Sequence, residues 1–335
     1  MRFVYAPDSY GGFLSAPAAC RLVQRVLVLR GIDLQLHPMA DGGEGTLEVL
    51  RFHGVAGTLE VVESARWLGP TRDGMDGPWQ TRSSYPLGQR MAQPGQGPLV
   101  VGLGGTATMD GGAGALQALG LTLRDAQGRA FPPGLLGGEL AKVARVQGPV
   151  PLRGRLVELL CDVSSPLAQA PVLYGPQKGL SELEVARQRQ VFEGWWAVLH
   201  RWRREHDLTP LPLDTPGGGA AGGLGFALAC LGARIVPGAQ RISRLTGLGA
   251  RLHGADTVVI GEGRLDRTSF EGKVAQVVID EARRSKVPRV LALVGGLREA
   301  PPAPAGPDGV IQAGEPSMEA FLGAVEKLAD SLLNS

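Results

Sequence analysis

The stretch PLVVGLGGTATMDGGAGALQAL (98–119) contains the three parts from which the fold can be predicted. The apolar run Pro98–Leu103 is typical of a buried strand, residues 104–108 form a glycine-rich turn, and helical spacing follows around Ala113–Leu119. Similar apolar runs occur at Phe3–Ala6, Leu34–Met39, Asp256–Ile260, Arg289–Val294 and Val310–Gln312. Continuous apolar runs that alternate with amphipathic helices predict parallel strands that are covered on both faces.

We therefore predict an α/β fold in which all six runs form one doubly wound, mostly parallel sheet of the Rossmann or flavodoxin type. A second α/β domain is inserted into it. The predicted sheet domain comprises residues 1–55, 95–120 and 235–335, and the inserted domain comprises 56–94 and 121–234. The inserted segments look different because 57–94 alternates polar and apolar residues, and 121–234 contains a long helix opened by the capping box of Ser181 and Glu184.

Composition excludes several classes of protein. The 335 residues are 44% hydrophobic and 20% charged, which is enough for a sizeable core and argues against disorder. The net charge of +2 leaves no basic stripe, so no nucleic-acid partner is expected. Three isolated cysteines indicate neither disulfides nor a zinc site and favour the cytoplasm. No apolar stretch of about 18 residues is present, so no membrane span is expected.

Five glycine-rich turns carry polar side chains, and four of them would lie at the carboxyl edge of the predicted sheet, where α/β proteins bind ligands. The turns are 6–16, 38–46, 102–114, 175–179 and 261–273. The acids expected at this edge are Asp8, Asp41, Glu44, Asp110, Glu262 and Asp266. They would repel one another unless cations or a metal ion lay among them. No Walker or protein-kinase motif is present, so the residues alone predict an enzyme for an anionic or phosphorylated ligand.

The motifs are similar to those of a known family. They are APDSYGGFLSA (6–16), PMADGGEGT (38–46), GLGGTATMDGGAGALQALG (102–120), CDVSSPL (161–167), YGPQKG (174–179), GGGAAGGLGFAL (217–228) and GEGRLD (261–266) followed by GK (272–273). In order and spacing the chain resembles the bacterial class of glycerate kinases from residue 3 to about 297. The resemblance implies ATP- and Mg²⁺-dependent phosphorylation of D-glycerate at the 2-hydroxyl, which gives 2-phosphoglycerate, by two α/β domains with the active site in the cleft between them. A homodimer would fit as well.

The chain departs from the family pattern at several positions. Gly11 stands where a lysine is usual, Ser164 and Ser165 replace an acidic residue and an amide, Met109 replaces an asparagine, and the segment 73–94 is shortened. These departures leave open a kinase for a related hydroxy acid, formation of 3-phosphoglycerate, and a non-catalytic nucleotide- or acid-binding relative.

Within this resemblance we predict four catalytic residues. Lys178, and Lys273 among the binding residues, are predicted to contact phosphate. Both lie in glycine-rich turns of a chain that has only five lysines against 29 arginines, so a lysine in such a turn is a candidate for a functional role. Arg264 would bind phosphate or the glycerate carboxylate, unless it forms an ion pair with Asp266. Asp41 or Asp162 would orient or deprotonate the substrate hydroxyl.

The remaining predicted site residues bind substrate or nucleotide. They are Asp8, Ser9, Glu44, Gly104, Gly105, Thr106, Asp110, Gly261, Glu262, Asp266 and Lys273. Asp110 and Glu262 are also the predicted metal ligands. Structural alternatives are open for four of the acids: Asp8 in an Asx-turn, Asp110 as an N-cap, and Asp41 and Glu44 as acids that stabilise a helix N-terminus. The stripe of Trp195, Trp196, Leu199 and Trp202 is predicted to be core or subunit interface, and His37 is predicted to be a core residue.

Overall fold

The computed structural model describes residues 1–93, 95, 97–152, 154–299 and 306–334. Pro94, at the end of the shortened segment, lies outside the described residues. The strands are β1 (Phe3–Pro7), β2 (Leu34–Leu36), β3 (Glu60–Glu63), β4 (Leu99–Gly102), β5 (Thr122–Arg124), β6 (Arg145–Gln147), β7 (Val157–Leu160), β8 (Arg234–Val236), β9 (Thr257–Leu265), β10 (Arg289–Leu297) and β11 (Gly309–Gln312).

The helices complete an α/β protein. They are α1 (Ala16–Leu29), α2 (Thr46–Phe52), α3 (Ala65–Leu68), α4 (Tyr85–Ala92), α5 (Ala113–Ala118), α6 (Ala170–Tyr174), α7 (Glu182–Glu205), α8 (Leu224–Cys230), α9 (Gly238–Thr246), α10 (Leu248–Leu252), α11 (Val274–Arg284) and α12 (Met318–Leu333). None of those described is long and apolar enough to cross a membrane.

The chain divides into two compact units. Unit 1 comprises Met1–Asp41, Gly45–Gly57 and Pro237–Ser335, and unit 2 comprises Gly42–Glu44 and Thr58–Val236. The sheet of unit 1 has the order β11-β10-β9-β1-β2, with every pair parallel. Numbered within the unit, this is the flavodoxin-like order 2-1-3-4-5, in which ligands bind where the order reverses, between the first and third strands. The predicted fold class is confirmed.

Unit 2 has its own parallel sheet, β3-β4-β7-β8. The run 98–103 belongs to this sheet, because β4 pairs with β3 on one side and β7 on the other. A single sheet of six strands is therefore wrong, and residues 95–120 lie in unit 2. A continuous apolar strand can pair in either sheet, so its sequence does not identify its neighbours.

Helix ends follow the sequence closely. Ser15 caps α1, and Ser181 and Glu184 form the predicted capping box at the start of α7. The predicted apolar stripe of α7 is core: Trp195, Leu199 and Trp202 are buried. Because an amphipathic helix gains most of its stability from the face it buries, these residues fix α7 against unit 2.

His37 is buried in unit 1, as the sequence predicts, and its Nε2 lies 2.9 Å from the Thr246 hydroxyl. Burial and, to a smaller extent, the charges of His53 and Arg251 together lower its pKa to about 3. The folded protein therefore holds His37 neutral, whereas the unfolded chain takes up a proton below about pH 6.5.

We expect the contribution of His37 to the free energy of unfolding to fall as the pH drops below about 6.5, by up to about 1.4 kcal/mol per pH unit. Urea unfolding followed by circular dichroism between pH 5 and 7.5 measures the slope. The variant His37→Gln lacks this contribution, so its free energy of unfolding should fall less, or rise more, than that of the wild type as the pH drops from about 6.5 to about 5. His53, whose pKa burial also lowers, is present in both proteins and therefore contributes equally to both slopes. Equal slopes would therefore show that His37 is not held neutral by burial.

Candidate functional site

A pocket of about 570 Å³ lies in unit 1 at the predicted ligand-binding edge. Asp8, Ser9 and Gly11 reach it from the turn after β1, and Glu262 and Arg264 reach it from the end of β9. Since β1 ends at Pro7, opposite Gly261 of β9, the last residues of β9 extend beyond their neighbour into the pocket. The far wall comes from the end of β10, the loop after β11 and α12, where Phe321 contributes an aromatic surface.

Glu262 is the most perturbed acid of this pocket. Its Oε2 is buried and has no hydrogen-bond partner among the described residues. The pKa of Glu262 is raised to about 7, and burial is the largest cause. The Ser269 hydroxyl and Lys273 act against this shift, whereas the charges of Asp266 and Asp41 add to it. A carboxyl group with this pKa can exchange a proton near neutral pH, which is the property that a general base requires.

Arg264 lies on the same face of β9 as Glu262, because residues two apart on a strand point the same way. Its side chain is exposed, and it has no hydrogen-bond or ion-pair partner in the part of the chain that the structure describes. The alternative ion pair with Asp266 does not form. Asp266 instead accepts hydrogen bonds from the Thr268 N–H at 2.9 Å and the Thr268 hydroxyl at 2.7 Å, which holds the turn after β9.

The other predicted residues of unit 1 lie beside the pocket. The Lys273 Nζ donates to the Thr268 hydroxyl at 3.0 Å, and Lys273 precedes the first residue of α11. Asp41 is half-buried and acts on Glu262 through its charge. Gly261 is structural, since a Cβ there would lie 2.6 Å from both the Pro7 side chain and the Tyr10 hydroxyl.

Asp8 and Ser9 line the pocket wall, and the Asp8 carboxylate accepts the Ser9 N–H at 2.6 Å. The remaining acids belong to unit 2. Glu44 is exposed, two residues before α2, and Asp162 is half-buried, just after β7. Neither lines either pocket described here.

A second pocket, of about 460 Å³, lies in unit 2. Gly104, Gly105 and Thr106, from the turn after β4, form one wall, as predicted for a ligand-binding loop. Its charged lining residues are Arg82 and Lys178, with no carboxylate among the lining residues. This pocket is suited to an anion with several oxygen atoms.

Lys178 is the buried cation of that pocket, with 8% of its surface exposed. Its ammonium donates to the Thr108 carbonyl at 2.8 Å and lies 3.4 Å from the Thr106 hydroxyl. The pKa of Lys178 is lowered to about 8, and burial is the largest cause. The charge of Asp110 acts against this shift, and the charge of Arg82 adds to it. An anion that entered the pocket would favour the charged ammonium, so Lys178 is arranged to bind one.

Asp110 has a structural role. It is fully buried, and its carboxylate accepts hydrogen bonds from the Ser84 N–H and hydroxyl, both at 2.7 Å, and from the N–H groups of Gly112 and Gly114, both at 3.2 Å. These bonds tie the turn before α5 to the segment before α4. With both oxygens engaged inside the protein, Asp110 is not positioned to bind a metal ion. The N-cap alternative is wrong as well, because the N-cap of α5 is Gly112 and Asp110 instead holds the turn that leads into the helix.

The structure offers no resident metal site where one was predicted. Among the described residues, no three His, Cys, Asp or Glu side chains are grouped so that they could hold a metal ion. Asp110 is enclosed by hydrogen-bond donors, and Glu262 belongs to no such group among these residues.

Sequence reasoning missed some pocket residues. Arg82 stands next to the shortened segment SSYPLGQ (83–89); it lines the unit 2 pocket and donates to the Ala107 carbonyl at 2.9 Å. Gln177 and Tyr174 also line the pocket, and the Tyr174 hydroxyl lies 2.8 Å from that of Ser165. Gln177 and Tyr174 fall inside the motif YGPQKG, which was a signal for them, whereas nothing marked Arg82 among so many arginines.

Comparisons with known proteins agree over nearly the whole chain. The family model described as "Glycerate kinase family" matches residues 3–79 and 54–320. Glycerate kinase of Halalkalibacterium halodurans is 33% identical over 332 residues, covering 88% of this chain and 85% of the relative. Glycerate 2-kinase of Escherichia coli K12 is 33% identical over 340 residues, covering 89% and 86%. A crystal structure described as that of glycerate kinase 2 from Salmonella typhimurium LT2 superposes with a TM-score of 0.80 at 29% identity, covering 100% of this chain and 98% of that one.

Proposed function

The chain belongs to the glycerate kinase family, and from that premise we propose that it transfers the γ-phosphoryl group of ATP to the 2-hydroxyl of D-glycerate. The product is 2-phosphoglycerate. The choice of hydroxyl is supported by the relative from Escherichia coli, which is named a glycerate 2-kinase. ATP is the phosphoryl donor, so we also propose that the enzyme works in the cytoplasm.

The pocket of unit 2 carries this proposal. A phosphoryl transfer enzyme has little covalent chemistry to perform and works mainly by positioning its substrates and neutralising negative charge. Lys178 and Arg82 supply two cations to a pocket whose lining has no opposing carboxylate, and Gly104 and Gly105 expose backbone there. We assign this pocket to the phosphate groups of ATP.

Magnesium enters the reaction as part of the substrate. Mg²⁺ binds phosphate oxygens and retains several of its waters, so it commonly arrives with the nucleotide and needs few protein ligands. The proposal therefore uses the MgATP complex as the phosphoryl donor. In the same proposal Arg264 binds the glycerate carboxylate, and Asp41 or Asp162 remains the sequence-based choice for the group that accepts the hydroxyl proton.

Release of ADP tests the proposal. Purified protein with MgATP should form ADP when D-glycerate is added. D-lactate, which has only a 2-hydroxyl, should be a better acceptor than 3-hydroxypropionate, which has only a 3-hydroxyl. Preference for 3-hydroxypropionate would indicate transfer to the 3-position.

Turnover with another hydroxy acid but not with glycerate would indicate a changed substrate. The open space at Gly11 in the unit 1 pocket is where the structure could accommodate a different acid. ATP binding without any turnover would indicate a non-catalytic relative.

A further inference from the structure

We propose that the pocket of unit 1 binds the hydroxy acid and that Glu262, rather than Asp41 or Asp162, accepts the proton of the hydroxyl that is phosphorylated. This inference rests on the proposed function. It assigns to Glu262 the catalytic role of a general base, and it assigns to Arg264 the binding of the substrate carboxylate.

The first argument is geometric. The Oε2 atom of Glu262 is buried yet lacks a hydrogen-bond partner among the described residues, although burying a polar atom without one is costly. Glu262 also lines the pocket, where rotation of its carboxyl group about the Cγ–Cδ bond would turn this oxygen toward a ligand hydroxyl that supplies the missing donor. Arg264 lines the same pocket from the same face of β9, with an unpaired guanidinium that matches a carboxylate. A 2-hydroxy acid carries the two complementary groups on adjacent carbon atoms.

Charge decides which substrate this pocket takes. Its lining includes the carboxyl groups of Asp8, Glu262 and Glu315 against the single cation of Arg264. A triphosphate would bring several negative charges next to these acids, whereas a hydroxy acid brings one, which Arg264 offsets. The opposite balance holds in the unit 2 pocket, which offers Lys178 and Arg82 and suits phosphates.

The groups around Glu262 place its proton exchange in the working range. Burial raises its pKa to about 7; the Ser269 hydroxyl and Lys273 lower that value, and the charges of Asp266 and Asp41 raise it. Tyr10 also faces Glu262 and stays protonated, because burial raises its own pKa. Above pH 7 Glu262 is a carboxylate that can take a proton, and below pH 7 it is increasingly protonated and cannot.

The chemical step balances. The hydroxyl oxygen of the acid forms a bond to the γ-phosphorus of ATP while its proton moves to the carboxylate of Glu262. The bond between the γ-phosphorus and the bridging oxygen breaks, and ADP leaves with that electron pair. Glu262 then releases the proton to solvent and returns to its carboxylate form.

The test compares Glu262→Gln with the wild type in D-glycerate-dependent ADP formation from pH 5.5 to 9. Removal of a general base is expected to lower kcat by about 10²–10⁴-fold. It should also abolish the decline of kcat/KM for D-glycerate below about pH 7, because kcat/KM reports the pKa of the free enzyme. Glu262→Asp should have a higher rate than Glu262→Gln and should again show the decline in rate at low pH, which we call the acid limb. The matched control Glu271→Gln, an exposed residue that pairs with Arg267, should leave both unchanged.

Neighbouring charges give a second readout that a purely structural role would not produce. Asp41→Asn removes a negative charge that raises the pKa of Glu262, so the acid limb should move to lower pH but remain. Lys273→Gln should move the acid limb to higher pH.

Arg264→Met should raise the KM for glycerate more than the KM for ATP. A raised KM for ATP alone would place the nucleotide in this pocket and overturn the inference.

Stability gives a readout independent of activity. Because burial raises the pKa of Glu262, the folded protein loses stability as the pH rises from about 4.5 through 7. Glu262→Gln should therefore melt at a higher temperature than the wild type at pH 8, with a smaller difference at pH 5. If the wild type turns over glycerate and Glu262→Gln keeps its rate and acid limb, the inference is wrong and the proposed function stands. If the wild type itself does not turn over glycerate, the proposed function fails.

Discussion

Replacing Lys178 with methionine is expected to lower kcat/KM for ATP by about 10²–10³-fold, the usual loss when one preorganised donor to a reacting oxyanion is removed. The physical reason is burial. The ammonium is held by the Thr108 carbonyl and the Thr106 hydroxyl, and the side chain is buried, so that its charge interacts more strongly with phosphate than it would at the surface. Steady-state kinetics with varied MgATP measures the loss.

The pH profile gives Lys178 its own signature. Since burial lowers its pKa to about 8, the free wild-type enzyme should lose kcat/KM for ATP above that pH, and the variant should not show this basic limb. Lys142→Met is the matched control, because Lys142 is an exposed lysine of the same unit that does not line the pocket. A Lys178→Met enzyme within threefold of the wild type would remove Lys178 from the site.

Replacing Asp110 with asparagine is expected to destabilise unit 2 by roughly 3 kcal/mol. The asparagine amide must place its NH₂ group at the position of either Oδ1 or Oδ2. Oδ1 now accepts the Gly112 N–H, and Oδ2 accepts the N–H groups of Ser84 and Gly114. Donors would then face donors in a fully buried position. Urea unfolding followed by tryptophan fluorescence reports on unit 2 specifically, because all five tryptophans of the chain belong to it.

The same variant separates a structural role from a catalytic one. Asp214→Asn, at an exposed position of unit 2, should change the free energy of unfolding by no more than about 0.5 kcal/mol. The Asp110→Asn protein that remains folded at low temperature should retain most of its kcat. Unchanged stability together with a loss of kcat by about 10²-fold or more would restore Asp110 as a base or metal ligand.

Much of the fold could be predicted because the signals are local. The apolar runs of β1, β9 and β10, the cap at Ser15 and the capping box at Ser181 each depend on neighbouring residues. Which sheet a strand joins depends on distant partners. The run that became β4 could not be assigned by its own sequence, because continuous apolar strands are alike in every parallel sheet.

The site was predicted in part for the same reason. Glycine-rich turns identified the walls of both pockets, including Gly104 and Gly105, and the scarcity of lysine drew attention to Lys178. The sequence could not show that Asp110 faces Ser84, 26 residues earlier, rather than solvent. It also could not show that one oxygen of Glu262 is buried without a partner, since that depends on how several turns converge.

Phosphorus NMR of the reaction product tests the central claim most directly. The protein is incubated with D-glycerate and MgATP, and the new phosphomonoester signal is recorded with proton coupling. A phosphoryl group on the 2-hydroxyl couples to the single proton on carbon 2, so we predict a doublet that matches authentic 2-phosphoglycerate. A triplet, from coupling to the two protons on carbon 3, or the absence of any new phosphomonoester, would contradict the account.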